Sequence, residues 1–396
     1  MHDVVVVGAG VIGAATAFHL AALGARRVLL LEQRRVGEGT GAMSSGILRT
    51  HYSVPSNVEL ARRSFAVYED FAAALGDPDA DCGLVRCGYL IAAPEGPRRA
   101  ALEASLAAQQ AMGIRVERLT PREAAERLPI ARFDDAALIG LEPDAGFADP
   151  HLVATAYARA ARRRGAEVRE GVAVRGLVRQ PEPDGGRVVG VLTDAGPLAA
   201  GVVVSCQNIW ATALAGWAGI TVPLHAERHV VLALQGRLPY TQAMPVFKDL
   251  ALDAMPYYRS YGGRQMLASE GGGGEVLAEP DDRPGDVGLE AMARIAELAA
   301  WRFPAWAEAG VAAAWTGVYD VTPDWNPVLG PVPQVPGLIV AFGFSGHGFK
   351  LAPAVGRLLA QSALGLPSDL PLAPYAIERF AGGALLQGRY GGGAVS

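Results

Sequence analysis

A chain of 396 residues and 41.3 kDa exceeds one small core and suggests two domains, one interrupting the other. With 51% apolar and 19% charged residues it is packed rather than disordered, and a net charge of −5 from 40 acids and 35 bases gives no reason to expect nucleic acid or an anionic membrane as partner. Three cysteines, Cys82, Cys87 and Cys206, argue against a disulfide framework and fit a reducing compartment.

Between Asp3 and Arg26 the only titratable side chain is His19, a length that could pass for a membrane span. Gly8, Gly10 and Gly13 crowd it, and Met1-His2-Asp3 lacks the positive start of a secretory signal, so no membrane span and a cytoplasmic location are expected. The pattern reads instead as a buried strand (3–7), a glycine turn, a helix (about 11–23) and a second strand (28–31) ending at Glu32. A polar glycine-rich loop (33–47) follows, then helical spacing from Pro55 to Leu75. Gly88 to Ala92 predicts a strand and Pro97 to Met112 a helix. Thr120-Pro121-Arg122-Glu123 predicts a capping box opening another helix. Asp149-Pro150 opens a helix that closes on Arg162-Arg163-Arg164, both ends suiting its dipole. Residues 166–210 read as strands, and 222–315 as alternating segments, the run Gly271 to Gly274, and a helix near 288–303. Strand 338–342, glycine turn 343–350 and helix 351–364 repeat the opening scheme, before a glycine-rich tail expected to be loose after Gly382. Two such units at opposite ends suggest one nucleotide domain built from both termini.

Gly8-Ala9-Gly10-Val11-Ile12-Gly13 carries chemistry because of its setting. It follows a strand, opens a helix, and precedes an acid, Glu32, about twenty positions on. The glycines admit a pyrophosphate, the helix start offers unpaired N–H groups, and Glu32 can accept ribose hydroxyls. NAD and FAD both satisfy this motif. The second turn, Gly343-Phe344-Ser345-Gly346-His347-Gly348-Phe349-Lys350, can present N–H groups and a cation to an electron-rich edge. Among 35 basic residues only Lys248 and Lys350 are lysine, the rest arginine, which suggests a need for a compact ammonium.

With these motifs the sequence resembles the D-amino-acid oxidase superfamily of flavoproteins, most closely its sarcosine oxidase and glycine oxidase branch. The resemblance spans nearly the whole chain. It also rests on Ser44-Ser45-Gly46-Ile47-Leu48-Arg49 with His51-Tyr52, on Val172-Ala173-Val174, on Tyr257-Tyr258-Arg259, and on Tyr319 to Asp324 with Pro327. It implies FAD rather than NAD, and an α/β fold: a Rossmann-like FAD-binding domain (1–76, 146–220 and 316–396) with a second, mixed antiparallel-sheet α+β substrate domain (77–145 and 221–315).

By that resemblance the cofactor would touch Gly8, Gly10, Val11, Ile12, Gly13, Glu32, Gln33, Arg34, Ser44, Ser45, Gly46, Ile47, Leu48, Val174, Trp210, Gly343, Gly346, His347, Gly348, Phe349 and Lys350. Arg49 and Lys350 would grip a substrate carboxylate, with Tyr258 and Tyr319 framing the amine. The activity implied is oxidation of the C–N bond of a small amino acid, hydride passing to flavin N5 and the imine hydrolysing. The alternatives are an amino-acid dehydrogenase subunit and a flavin 2-hydroxy-acid dehydrogenase. Two departures matter. Gly317 stands where some sarcosine oxidases carry a flavin-linking cysteine, so FAD is expected to be non-covalent. Gly262 to Leu267 lacks the lysine those oxidases use with oxygen, so the acceptor is oxygen or a redox partner. His225 and His229 read as structural or surface residues, His51 and His347 as turn or flavin contacts, and no metal is expected.

Overall fold

The computed structural model describes residues 1–180, 186–236, 243–281 and 286–389. Apolar runs without alternation suit strands buried on both faces, and those at the two ends of the chain meet in one parallel sheet. Its spatial order is Leu338–Phe342, Gly196–Ser205, His2–Val7, Val28–Leu31 and Glu167–Arg169. Val174–Arg179 and Val188–Thr193 extend it antiparallel from the first half of Gly196–Ser205. Helices Val11–Ala22 and Gly348–Ala363 cross so closely that a Cβ at Gly356 would lie 2.7 Å from that of Ala15.

The second sheet is mostly antiparallel. Its order is Glu275–Leu277, His225–Gln235, Gln265–Ser269, Tyr257–Tyr261, Val246–Asp249, Tyr89–Ala93, Leu138–Glu142 and Glu117–Leu119, with Gly310–Val321 also pairing along His225–Gln235. That last strand runs unbroken across the border expected between 315 and 316. Strand residues alternate between faces. One face, bearing Phe247, Tyr258 and Met266, packs with Phe303 and the helix Leu289–Arg302. The register sets Tyr319, His229, Tyr257, Lys248 and Ile91 on the other.

Local signals mostly hold. Thr120 and Glu123 form the reciprocal capping box, and Asp149 accepts from His151 N and Leu152 N at the head of Pro150–Arg163. The helix expected over Pro55 to Leu75 is interrupted at Asp70 (φ −128°, ψ 55°), giving Pro55–Glu69 and Phe71–Leu75. Thr40–Met43 forms a 3-10 turn inside the expected loop. The last long helix begins at Gly348 rather than 351, which brings Lys350 into its first turn. Of the glycine-rich tail, 390–396 lie outside the described residues. Among the described residues no helix is long and apolar enough to cross a membrane, and no cluster of His, Cys, Asp and Glu is grouped to hold a metal.

Candidate active site

A cavity of about 660 Å³ opens above the carboxyl ends of the parallel strands, where open α/β sheets bind ligands. Its wall includes Gly8, Gly10, Val11, Ile12, Glu32, Gln33, Arg34, Ser44, Val174, Trp210, Tyr319, Gly346, Gly348 and Phe349, all sequence candidates. The glycines differ in what they do. A Cβ at Gly13 would sit 1.9 Å from Gly8 O, and one at Gly8 (φ +96°) would meet Cys206 O at 2.6 Å, so these two allow close strand–helix packing. Gly10 borders open space, with nothing within 4 Å of its Cβ position, and it heads a helix that no side chain caps. A helix start with unspent N–H groups facing a void fits a pyrophosphate. Glu32 stands across from it, accepting from Ala9 N (2.8 Å) and Arg34 N (2.9 Å), which fixes the loop and turns an acid toward the cavity. These residues fit an FAD-sized dinucleotide. Glu32→Ala removes an anchor worth about 1.5–3 kcal/mol, so FAD titration of the apoprotein by flavin fluorescence should show affinity weakened roughly ten- to a hundredfold.

Gly13 is packing rather than wall, and Ser45 to Arg49, Gly343, His347 and Lys350 are not among the residues that line this cavity. Gly46 takes φ +65°, and a Cβ there would clash with Ala148 O at 2.1 Å. Ile47 and Leu48 then pair with Phe147 and Gly146, and this short sheet delivers Arg49 to a buried position. Its guanidinium lies 4.6 Å from the Tyr52 ring centroid and 5.5 Å from that of Tyr89. The next backbone is clamped by Glu142, whose carboxylate accepts from Thr50 N (2.8 Å), Thr50 Oγ1 (2.8 Å) and His51 N (3.1 Å).

The second glycine turn is bound to the end of Gly310–Val321. Asp320 Oδ2 accepts from Gly343 N at 2.6 Å, Asp320 O accepts from Ser345 N at 3.2 Å, and Ser345 itself holds φ +49°. A Cβ at Gly346 (φ +83°) would come within 2.6 Å of the Tyr319 ring, so glycine is required for the two to touch. One turn into the helix, Pro353 has no N–H for the carbonyl of Phe349. That carbonyl accepts from Tyr68 Oη instead, at 2.5 Å, tying the helix start to Pro55–Glu69. Lys350 is thereby held in place. Burial, then Arg49, draws its ammonium well below the usual lysine range.

One candidate is corrected. Tyr258 does not frame the site: it is fully buried on the opposite face, its ring 4.9 Å from that of Phe303 and nearly perpendicular to it. Strand alternation gives that role to Tyr257, beside Tyr319 and with its Oη 2.7 Å from Ser45 Oγ. Sequence reasoning also set aside His229. It is buried, stacked on Tyr319 with ring centroids 4.0 Å apart, and its Nε2 lies 3.5 Å from Glu227 Oε2. Although burial opposes its charge, hydrogen bonds from His229, Gly274 N and His225 hold Glu227 down to about 2. Thr40, Gly41, Gln207 and Asn208 line the cavity unforeseen. Thr40 Oγ1 bonds Asn208 Oδ1 at 3.0 Å, across a separation in sequence that no local pattern reveals. Cys206 also reaches the wall, beside Gly8, where burial pushes its thiol up to about 12.

Comparison with known proteins agrees with this geometry. Over 386 residues the chain is 31% identical to 4-methylaminobutanoate oxidase (formaldehyde-forming) of Paenarthrobacter nicotinovorans, covering 96% of this chain and 45% of that protein. It is 30% identical to the mitochondrial sarcosine dehydrogenase of Homo sapiens, covering 96% and 41%. The chain thus spans less than half the length of these relatives. L-proline dehydrogenase from P. horikoshii superposes with a TM-score of 0.86 at 26% identity, covering 96% of this chain and 98% of that one. Glycine oxidase from Geobacillus kaustophilus gives 0.81, also at 26%, with the same coverage. The profile of the FAD dependent oxidoreductase family (DAO) matches residues 3–362, from the first strand to the last long helix, and the chain belongs to that family.

Proposed function

We propose that this flavoprotein oxidises the C–N bond of a small amino acid or N-alkyl amino acid. The observation that carries the reading is the pair of buried basic side chains Arg49 and Lys350, each in the other's field, with Lys350 next in sequence to the cavity-wall residues Gly348 and Phe349, Tyr319 in that wall and Tyr257 beside it. A carboxylate is the natural counter-ion there, since a planar guanidinium grips it with two bonds. FAD held by the Gly8–Gly13 turn and Glu32 supplies, when bound, a two-electron acceptor for the substrate's C–H hydrogen. The side chains do the rest by position. Arg49 and Lys350 fix the carboxylate, the tyrosine rings confine the amine, and the clamps on Thr50 and Gly343 keep both cations from relaxing. An amine that has lost its proton drives the transfer with its own lone pair, and water hydrolyses the resulting imine. Anaerobic bleaching of the visible absorption band of the oxidised flavin by sarcosine, glycine, proline, D-amino acids and N-methyl amino acids tests this. If no amine bleaches the flavin, the reading is wrong.

FAD is taken to be non-covalent: Gly317 offers no nucleophile, and the Cys206 thiol is held protonated by burial at the turn bearing Gly8. Acid precipitation should therefore leave the yellow chromophore in the supernatant, and colour retained in the pellet would contradict it. A second reading concerns the acceptor. The strand Gln265–Ser269 carries no lysine, and Leu267 packs with Val231, Ala233 and Trp315 on the cavity-side face. This favours a dehydrogenase passing electrons to a partner, and stopped-flow reoxidation should then be slow with oxygen and fast with a dye.

A further inference from the structure

Lys248 is one of two lysines in the chain, and no step above uses it. Its strand is the seam of the second sheet, with Lys248 level with Ile91 on one side and Tyr257 on the other, on the face that carries Tyr319 and His229. Tyr89, two residues from Ile91 on that face, carries the Arg49 guanidinium on its ring. The side chain is 3% exposed, and its Nζ donates to Met255 O at 2.5 Å. The chain has made room for that ammonium. A Cβ at Gly271 would lie 2.0 Å from Lys248 Nζ, so only glycine lets it lodge there.

Among the described residues neither Lys248 nor Lys350 has a carboxylate within 4 Å. Glu142 holds the backbone of Thr50 and His51 and lies in the field of Arg49, and Asp249 points to the opposite face, where Arg302 takes it at 2.7 Å. Burial, then Arg49, brings Lys248 down to about 7, with Asp249 opposing. Removing cations from water without counter-charges is costly, and one substrate carboxylate answers to Arg49 and Lys350 alone. We propose that the substrate is an amino acid bearing a second carboxylate, and that Lys248 is the residue that selects it. This rests on the amino-acid reading given above.

The test uses sulfide analogues, which have no amine to oxidise. Thiodiacetate and 3-(carboxymethylthio)propanoate are compared with (methylthio)acetate and (propylthio)acetate on the FAD-loaded protein, by calorimetry and by perturbation of the flavin spectrum. The expected result is that at least one diacid binds more than about tenfold tighter than its monoacid partner, and that Lys248→Met abolishes the difference while changing monoacid affinity less than about threefold. Gly271→Ala, which displaces the ammonium without removing it, should weaken the preference as well. Equal affinities in the wild type, or a preference surviving in Lys248→Met, overturn the proposal. Binding by monoacids but no gain for either diacid removes the Lys248 role alone, whereas no response to any carboxylate removes the amino-acid reading with it.

Discussion

Replacing Arg49 with alanine should lower kcat/KM for carboxylate-bearing amines by roughly three orders of magnitude, most of it through KM, while the FAD content of the purified protein stays unchanged. Truncating one partner of a buried charge contact costs about 2–5 kcal/mol, and each 1.4 kcal/mol or so is tenfold. The separation of effects follows from position. Arg49 stands on Tyr52 and Tyr89, beyond the wall formed by Gly10, Glu32 and Ser44. Steady-state kinetics with the absorbance ratio of flavin to protein checks both halves. Loss of flavin from the variant would assign Arg49 to cofactor binding instead.

Arg302→Met should cost about 3–5 kcal/mol of stability, the range for breaking a buried ion pair from one side, and lower the melting temperature by roughly 5 °C. Arg302 is fully buried and donates to Asp249 (2.7 Å) and to both oxygens of Asp135 (2.8 and 2.9 Å), as well as to Arg132 O. It fastens the helix Leu289–Arg302 to the sheet behind Tyr258 and Phe247. Without it Asp249 is left in the interior with no counter-charge. Adding Asp249→Asn should recover a good part of the loss, because the penalty lies in the orphaned acid more than in the missing contact. Thermal melts followed by circular dichroism measure both, and equal melting points for single and double variants would refute the argument.

What could be read in advance was local. Gly8 to Gly13 with Glu32, the Thr120–Glu123 box and the Asp149 cap are each set by a few neighbouring residues and their hydrogen bonds, so the sequence carries them directly. The choice between Tyr257 and Tyr258 was of another kind. Both suit a strand, and only the packing of Leu289–Arg302 on one face decides which ring looks toward the cavity. Lys248 and Arg49 stand 199 positions apart with no repeat or motif linking them, and the adjacency of Val246–Asp249 to Tyr89–Ala93 brings them together. Asp70 interrupts an otherwise continuous helical pattern, since side-chain spacing records which face is buried and not whether the axis turns.

The first turn of Gly348–Ala363 is an unfavourable address for a cation, because the exposed N–H groups there already present partial positive charge. Lys350 occupies it, deep in the protein and within the field of Arg49. The resting fold therefore carries an internal repulsion that an incoming anion relieves. Carboxylates should act as thermal protectants of this protein in step with their affinity, and exchange of Lys350 for methionine should yield a sturdier but idle molecule.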